Sequence, residues 1–88
     1  MLSLPVELTH DLAKDCLSRL MSGLGAEPTE VVVNAQSLTR FDSSALAVLL
    51  ELRRSCIRNG KTMVVQSLPK HLLDLAVLYG IESLLPTH

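Results

Sequence analysis

Aromatic residues are nearly absent from this sequence, which contains one Phe, one Tyr and no Trp among its 88 residues. Proteins that bind single-stranded nucleic acids stack bases on aromatic side chains, so the usual contact residues of that class are missing. An excess of one charge is also missing, because eight Lys and Arg stand against nine Asp and Glu, for a net charge of −1. Without a basic field to attract phosphates, we expect no nucleic-acid partner.

Long hydrophobic runs are missing as well. No apolar stretch approaches the roughly 20 residues of a membrane-spanning helix. The segment Met1–Leu8 has no basic start, and Pro5 and Glu7 interrupt its apolar residues, which is unlike an export signal. We therefore expect a cytoplasmic chain without direct membrane insertion.

Cysteine is scarce, and its spacing argues against a metal site. Cys16 and Cys56 both fall in predicted helices. Without an export signal, we interpret them as reduced, buried thiols, and a disulfide is the less favoured alternative. The histidines are far apart in sequence, and none has metal-ligand spacing with a cysteine, so we expect no zinc site. They are His10, His71 and His88.

Signals of catalysis are missing too. The sequence has no glycine-rich phosphate loop and no Gly-x-Ser-x-Gly turn. A nucleophilic serine needs a nearby base, and the sequence suggests none for the candidate serines Ser43 and Ser44. We expect no catalytic residue, no metal and no cofactor, and a function other than that of an enzyme.

What is present is mainly aliphatic, and hydrophobic residues make up 48% of the chain. Helical apolar spacing alternates with short β-branched runs in the order β, α, β, α, β, α. This order predicts a single α/β domain over residues 1–88, with a small mixed, mostly parallel sheet and crossover α-helices. The predicted elements are a strand in Met1–Leu8, a helix from the N-cap Thr9 to Gly23 and Gly25, a strand at Glu30–Asn34, a helix from Asp42 or Ser43 to Arg58, a strand at Thr62–Gln66 and a helix from Pro69 to Gly80.

Several side chains can be placed from the same pattern. Pro5 requires an edge position in the first strand, because it has no N–H for a ladder. Phe41 is expected to anchor the loop before the second helix in the core, and Ser55 falls on the polar side of that helix. In the last helix, Val77 belongs to the apolar face, and Tyr79 is expected in the core with its hydroxyl at the surface.

The stretch between the central strand and the second helix is the most informative one. It reads Leu-Thr-Arg-Phe-Asp-Ser-Ser-Ala-Leu-Ala-Val-Leu-Leu at positions 38–50. It resembles the signature of STAS domains, in which a strand is followed by a loop ending in Asp-Ser/Thr-Ser/Gly-Gly/Ala-Leu and by an amphipathic helix. The next strand and the last helix continue the pattern, so the resemblance covers roughly the last two-thirds of the chain.

Within the family, the chain looks most like the small STAS subunit of bacterial phospholipid ABC transporters that maintain outer-membrane lipid asymmetry. The short length and the endings at 75–80 and 84–86, Leu-Ala-Val-Leu-Tyr-Gly and Leu-Leu-Pro, carry this similarity. The resemblance implies a cytoplasmic accessory subunit that binds the ABC transporter ATPase. Such a subunit supports the assembly or activity of the transporter, lies at the inner membrane through its partner, and does not hydrolyse ATP itself.

The chain departs from the family pattern in two places. STAS domains usually open with a strand pair, and here only Met1–Leu8 precedes the first helix. Transporter subunits commonly have a Thr and two glycines after the Asp, where this chain has Ser43, Ser44 and Ala45. The Asp-Ser-Ser version is closer to anti-sigma factor antagonists.

The resemblance also implies where a partner binds. Ser43 matches the threonine that lies in the partner contact of the transporter branch, and Ser44 matches the serine that is phosphorylated in anti-sigma factor antagonists. The alternative function is therefore an antagonist of this kind, with Ser44 or Ser43 as the phosphorylated residue. The expected partner-binding residues are Arg40, Asp42, Ser43, Ser44, Ala45 and Arg54.

The chemistry of a helix start leaves two interpretations of Asp42, Ser43 and Ser44 open. Asp and Ser before an apolar helix are preferred caps. The same N–H groups and the positive end of the helix dipole also suit a partner or a phosphate. A phosphate on Ser44 would add about −1.5 to −2 charges. The helix dipole and a nearby Arg40 would favour that charge, and Asp42 would repel it.

Overall fold

Five short strands and three helices make up the fold in the computed structural model, which describes residues 1–87. The predicted α/β class is confirmed, and every strand pairing is parallel. In chain order, the elements are β1 (Leu2–Ser3), β2 (Glu7–Leu8), α1 (His10–Leu24), β3 (Glu30–Asn34), β4 (Arg40–Phe41), α2 (Ser44–Arg58), β5 (Thr62–Gln66), α3 (Lys70–Leu78) and a 3-10 turn (Glu82–Leu84).

The main sheet has the strand order β1-β3-β5. Its register pairs Leu2 with Val33, and Val33 with Val65. The two crossovers between these strands contain α1 and α2. Both crossovers connect to the next strand in the same direction across the sheet. When such crossovers have the same handedness, their helices lie on the same face of the sheet. Helix α1 accordingly packs beside α2.

The N-terminal segment differs from the prediction. Instead of one strand over Met1–Leu8, the structure has β1 and β2 with Pro5 between them. Proline has no N–H to donate and a fixed φ, so Pro5 separates the two pairings. The predicted edge position does hold for β1, which is the outer strand of the main sheet. The second strand, β2, pairs with β4 in a separate two-stranded ladder, where Glu7 lies opposite Arg40.

Helix ends lie close to their predicted positions. Gly25 is the C-cap of α1, and Asn59 with Gly60 ends α2, where Gly60 has a φ of 69°. Pro69 is the N-cap of α3, with an extended conformation (φ −58°, ψ 140°). The prediction had Pro69 as the first helical residue, whereas the helix begins one residue later, at Lys70. Ser67, the only non-glycine residue with positive φ among residues 1–87, lies in the turn before it.

The core lies between the main sheet and helices α1 and α2, and it is almost entirely aliphatic. Alternate residues of β3 and β5 face it, while Val32 and Val64 are only half-buried on the other face. Burying one Leu or Val contributes about 1.5–3 kcal/mol. The residues that are less than 2% exposed include Leu8, Val31, Val33, Leu49, Leu52, Cys56, Val65, Leu72 and Leu85.

Both cysteines are free and buried, as predicted. Burial raises the pKa of the Cys16 and Cys56 thiols, because desolvation disfavours the thiolate. Within residues 1–87, no group of three His, Cys, Asp or Glu side chains could hold a metal ion. His88 lies outside the described residues. None of the helices in the same range is long and apolar enough to cross a membrane.

Three side chains lie elsewhere than predicted. Tyr79 is 56% exposed and Val77 is 54% exposed, because the buried side of α3 consists of Leu72 and Ala76. Ser55, expected on the polar side of α2, is buried. Its hydroxyl donates to Met21 Sδ at 3.0 Å and accepts from the Arg58 guanidinium at 2.9 Å.

Candidate functional site

Asp42 joins the start of α2 to the start of α1. One carboxylate oxygen accepts the Ser44 N–H at 2.8 Å, and the other accepts the His10 N–H at 3.1 Å. The Asp42 carbonyl also accepts the Ala45 N–H at 3.1 Å. Asp42 therefore caps both helices, although it lies 32 residues from His10 in the sequence.

These hydrogen bonds set the acidity of the carboxyl group. The N–H groups of Ser44 and His10 hold the pKa of Asp42 below its usual range, because they stabilise the ionised form. Both carboxylate oxygens already accept a donor, and the lowered pKa reduces their basicity. Asp42 is consequently a poor general base for either neighbouring serine.

The expected cap of α1 behaves differently from the prediction. Thr9 occupies the N-cap position with extended dihedral angles, but its side chain makes no capping hydrogen bond. The Asp42 carboxylate instead accepts the hydrogen bond of the His10 N–H at the start of α1. No local pattern in the sequence indicates this contact, because capping patterns link residues two or three positions apart.

The two serines differ in accessibility. Ser43 is exposed and has helical dihedral angles (φ −62°, ψ −15°), and its carbonyl accepts the Leu46 N–H at 3.0 Å. Ser44, the first residue of α2, is half-buried, and its N–H is bound to Asp42. Ser43 therefore offers the more accessible hydroxyl at this helix start.

The remaining predicted site residues are divided between surface and core. Ala45 is fully buried, so its side chain belongs to the core and not to the expected partner surface. Arg40 extends from β4 with its side chain 80% exposed, and its Nε lies 3.2 Å from Glu7 Oε2. Phe41 packs against the core, as expected, with its ring 6.0 Å from that of His71.

Arg54 lies on the same side of α2 as Ser43. Residues 11 positions apart are separated by about 20° around a helix axis and by about 16 Å along it. Arg54 is exposed, and its guanidinium donates to Glu51 at 2.9 Å. We call the row Ser43, Ala47, Glu51 and Arg54 the α2 stripe.

An apolar groove of about 250 Å³ borders the α2 stripe. It lies between α1 and α2, and its floor is formed by small and aliphatic side chains. The charged groups of Lys14 and Glu51 lie at its rim. The prediction missed the α1 side of this groove, since apolar spacing does not show which helices lie side by side. The lining residues are Ala13, Lys14, Leu17, Ala47, Val48 and Glu51.

The described residues form a small α/β domain with parallel strands. Residues 1–86 match the sequence family described as "Mlab, STAS domain". The chain therefore belongs to this MlaB-like family of STAS domains. No curated protein matches the chain significantly.

Proposed function

We propose that the chain is the STAS subunit of an ABC transporter for phospholipid trafficking that maintains outer-membrane lipid asymmetry, and that it binds the ATPase subunit through the α2 stripe. One observation carries this proposal. In a chain of the MlaB-like family, the exposed Ser43 lies in line with Arg54 beside an apolar groove. Small residues at a helix start let a partner approach closely, and a groove beside them accepts an apolar side chain.

Each part of this surface has a distinct physical role. Ser43 and Ala47 leave room for the partner's main chain, and the groove would bury one aliphatic or aromatic side chain of the partner. A buried side chain of that size contributes about 1.5–3 kcal/mol to binding. The exposed pair of Arg54 and Glu51 adds little affinity of its own, and we assign it to the polar rim. Arg40 extends the rim from β4.

The proposed role is structural, without catalysis. Asp42 positions the helix start and is a poor base, so neither serine is activated. We propose that residues 1–88 form a single domain that supports the assembly or activity of the ATPase. The subunit would lie on the cytoplasmic side of the inner membrane through that partner, without cofactor, nucleic acid or membrane insertion of its own.

Co-expression with the candidate ATPase tests this proposal. The wild-type chain should co-elute with the ATPase in size-exclusion chromatography. Ser43→Glu should abolish co-elution, because it places a bulky charge at the start of the contact surface. Ser43 is exposed, so we expect the free variant to fold. Ser83→Glu makes the same chemical change at an exposed position outside the α2 stripe and should leave the complex intact.

Two outcomes would sink the transporter proposal. One is a wild-type chain that elutes alone beside the folded ATPase. The other is a Ser43→Glu complex as stable as that of wild type, since the contact would then lie elsewhere.

The Asp42-Ser43-Ser44 sequence supports a second candidate, an anti-sigma factor antagonist that is switched by phosphorylation. A phosphate on Ser44 would lie at the start of α2, where the helix dipole attracts it. It would also lie next to the carboxylate that binds the Ser44 N–H, so repulsion would weaken the cap. The added charge would thereby release a partner bound at this surface.

Intact-mass measurement after incubation with a kinase-type anti-sigma factor and ATP tests this candidate. Stoichiometric phosphate on Ser44 that is absent from Ser44→Ala supports the antagonist function. An unchanged mass in the presence of active kinase argues against it.

A further inference from the structure

Asn59 and Gly60 form the only Asn-Gly pair in the sequence, and this pair follows the last residue of α2. Asparagine before glycine is the pair most prone to spontaneous deamidation, because glycine has no side chain to shield its main-chain nitrogen. That nitrogen attacks the side-chain carbon Cγ of the asparagine. Asn59 is exposed, so water has access to the ring that this attack forms. The sequence therefore contains the chemistry of a modification at the end of α2.

The same pair is a regular helix ending. Asn59 is the C-cap of α2, and Gly60 follows it with a φ of 69°. The Gly60 N–H donates to the Ile57 carbonyl at 3.1 Å. The Lys61 N–H donates to the Cys56 carbonyl at 2.8 Å. These two bonds are those of a Schellman motif, in which glycine adopts the left-handed conformation. The nitrogen that deamidation requires is thus bound within the helix end.

The Asn59 side chain is held as well. Its Nδ2 donates to the Ser55 carbonyl at 2.7 Å, one turn back along α2. Ring closure requires Cγ of Asn59 and the nitrogen of Gly60 to come together, and that nitrogen must lose its proton. Both hydrogen bonds oppose this step, since they hold the two groups on different carbonyls. The folded end of α2 therefore suppresses the reaction that its sequence favours.

A contact with α1 holds this helix end in place. The buried Ser55 hydroxyl donates to Met21 Sδ at 3.0 Å and accepts from the Arg58 guanidinium at 2.9 Å. A cavity of about 190 Å³ between the two helix ends is lined in part by Met21, Ser55 and Asn59. Met21 belongs to another helix, so it influences the reaction of Asn59 through the fold and not through the local sequence.

Asn34, the only other asparagine of the chain, provides an internal comparison. The next residue is Ala35, whose methyl group hinders attack by its main-chain nitrogen. The Ala35 N–H also donates to the Gln66 carbonyl at 2.8 Å, and Ala35 is fully buried. Asn34 is thus protected by its neighbour in the sequence and by the sheet, whereas Asn59 is protected by the fold alone.

We propose that Asn59 is a site of spontaneous deamidation whose rate is set by the opening of the end of α2. In the open state, the Gly60 nitrogen loses its proton and bonds to Cγ of Asn59, and the side-chain nitrogen leaves as ammonia. Water then opens the succinimide ring at either of its carbonyl groups, which gives aspartate or isoaspartate. The net reaction consumes water, releases ammonia and replaces an amide by a carboxylic acid. It does not depend on the partner bound at the α2 stripe.

The modification removes a helix cap. A carboxylate has no N–H to donate to the Ser55 carbonyl, and its charge lies at the negative end of the helix dipole. Isoaspartate also lengthens the main chain between α2 and β5 by one carbon. We therefore expect the modified helix end to open more often. In Asn59→Asp, exchange of the Gly60 and Lys61 amide protons should be about tenfold faster than in wild type.

Peptide mapping by mass spectrometry during incubation at mildly alkaline pH tests the proposal. Deamidation appears as the mass gained when NH₂ is replaced by OH, and fragment masses distinguish Asn59 from Asn34. In guanidinium chloride that unfolds the chain, Asn59 should convert well before Asn34. In native buffer, conversion of Asn59 should be about tenfold slower or more, because both hydrogen bonds must open first.

Three variants separate the chemistry from the folding. Asn59→Gln keeps a side-chain amide but needs a larger ring, so this position should keep its mass in denaturant. Met21→Ala removes the contact with Ser55 and should raise the rate in native buffer several-fold without changing it in denaturant. Ser18→Ala is the matched control on α1, at an exposed position, and should follow wild type in both solvents. Circular dichroism verifies the fold of each variant.

Three results would overturn the proposal. The first is an equal rate at Asn59 in native buffer and in denaturant, since the fold would then offer no protection. The second is an Asn59 that does not convert in denaturant. The third is a set of variants in which the native rate does not rise with the exchange rate of the Gly60 amide proton, since opening would then not control the reaction.

Discussion

At the scale of single residues, Asp42 has the most unusual position. Its carboxylate accepts N–H groups from the first residue of each of two helices, and thereby fixes the loop that presents Ser43. Helix starts normally depend on a side chain within their own first turn. Here α1 depends on a residue of another element, so its start and that of α2 are coupled.

The pH dependence of stability should report this coupling. The pKa of Asp42 is lower in the folded chain than in the unfolded chain, so its ionisation stabilises the fold. That contribution is complete above the unfolded value of about 3.9 and is lost as the pH falls through the lower folded value. Asp42→Asn should thus unfold at a lower urea concentration than wild type at pH 7. The difference between the two urea midpoints should shrink below about pH 4, which is close to the pKa of the carboxyl in the unfolded chain.

Asp15→Asn is the matched control for this experiment. Asp15 is exposed on α1 and makes no ion pair with the residues between 1 and 87. Its urea midpoint should follow that of wild type at every pH. A difference for Asp42→Asn that stays constant down to acidic pH would show that the stabilisation does not come from the ionised carboxylate.

The sequence located most of the residues of the candidate site, but not their surroundings. The Asp-Ser-Ser stretch identified the start of α2, because capping residues and apolar spacing are local signals. The contact of Asp42 with His10 and the groove beside Ala47 depend on how α1 packs, which local signals do not contain. Ser55 was misplaced for the same reason, because its hydroxyl reaches Met21 on α1.

At the scale of elements, long regular segments were predictable and two-residue strands were not. Helices α1 and α2 have 15 residues each, enough for the apolar period to repeat. Strands β2 and β4 have two residues each, which is too short for any alternation. Only the pairing of Glu7 with Arg40 and of Leu8 with Phe41 defines them.

Two glycine substitutions should have opposite effects on helix stability. Gly23 lies within the last turn of α1 with negative φ, and an added Cβ would lie 3.0 Å from the flexible end of Leu2. Because that end is able to move, Gly23→Ala should raise the free energy of unfolding by about 0.5–1 kcal/mol through helix propensity. Gly60→Ala should lower it by about 1–2 kcal/mol, since Gly60 has positive φ.

Urea unfolding followed by circular dichroism measures both changes. The Gly60 position has no other atom within 4 Å of an added Cβ, so its loss would come from the backbone alone. A destabilised Gly23→Ala would mean that Leu2 is fixed in place by the packing of β1. A neutral Gly60→Ala would mean that the end of α2 relaxes freely.

At the scale of the whole molecule, the fold separates packing from recognition. Helices α1 and α2 share one face of the main sheet, and their inner sides supply much of the core. The outer side of α2 remains available, and the α2 stripe runs along it from Ser43 to Arg54. The order of strands and helices was predictable from the sequence, whereas the side-by-side position of α1 and α2 followed only from the parallel strand order.

The most direct test of the central claim is a pull-down of the tagged chain from its native cells, with mass spectrometry of the proteins that accompany it. Wild type, Ser43→Glu and Ser83→Glu are compared at equal expression. We predict that an ABC transporter ATPase accompanies wild type and Ser83→Glu and is lost with Ser43→Glu. A kinase-type partner in its place, or an ATPase retained by Ser43→Glu, would contradict the claim that the α2 stripe binds the transporter.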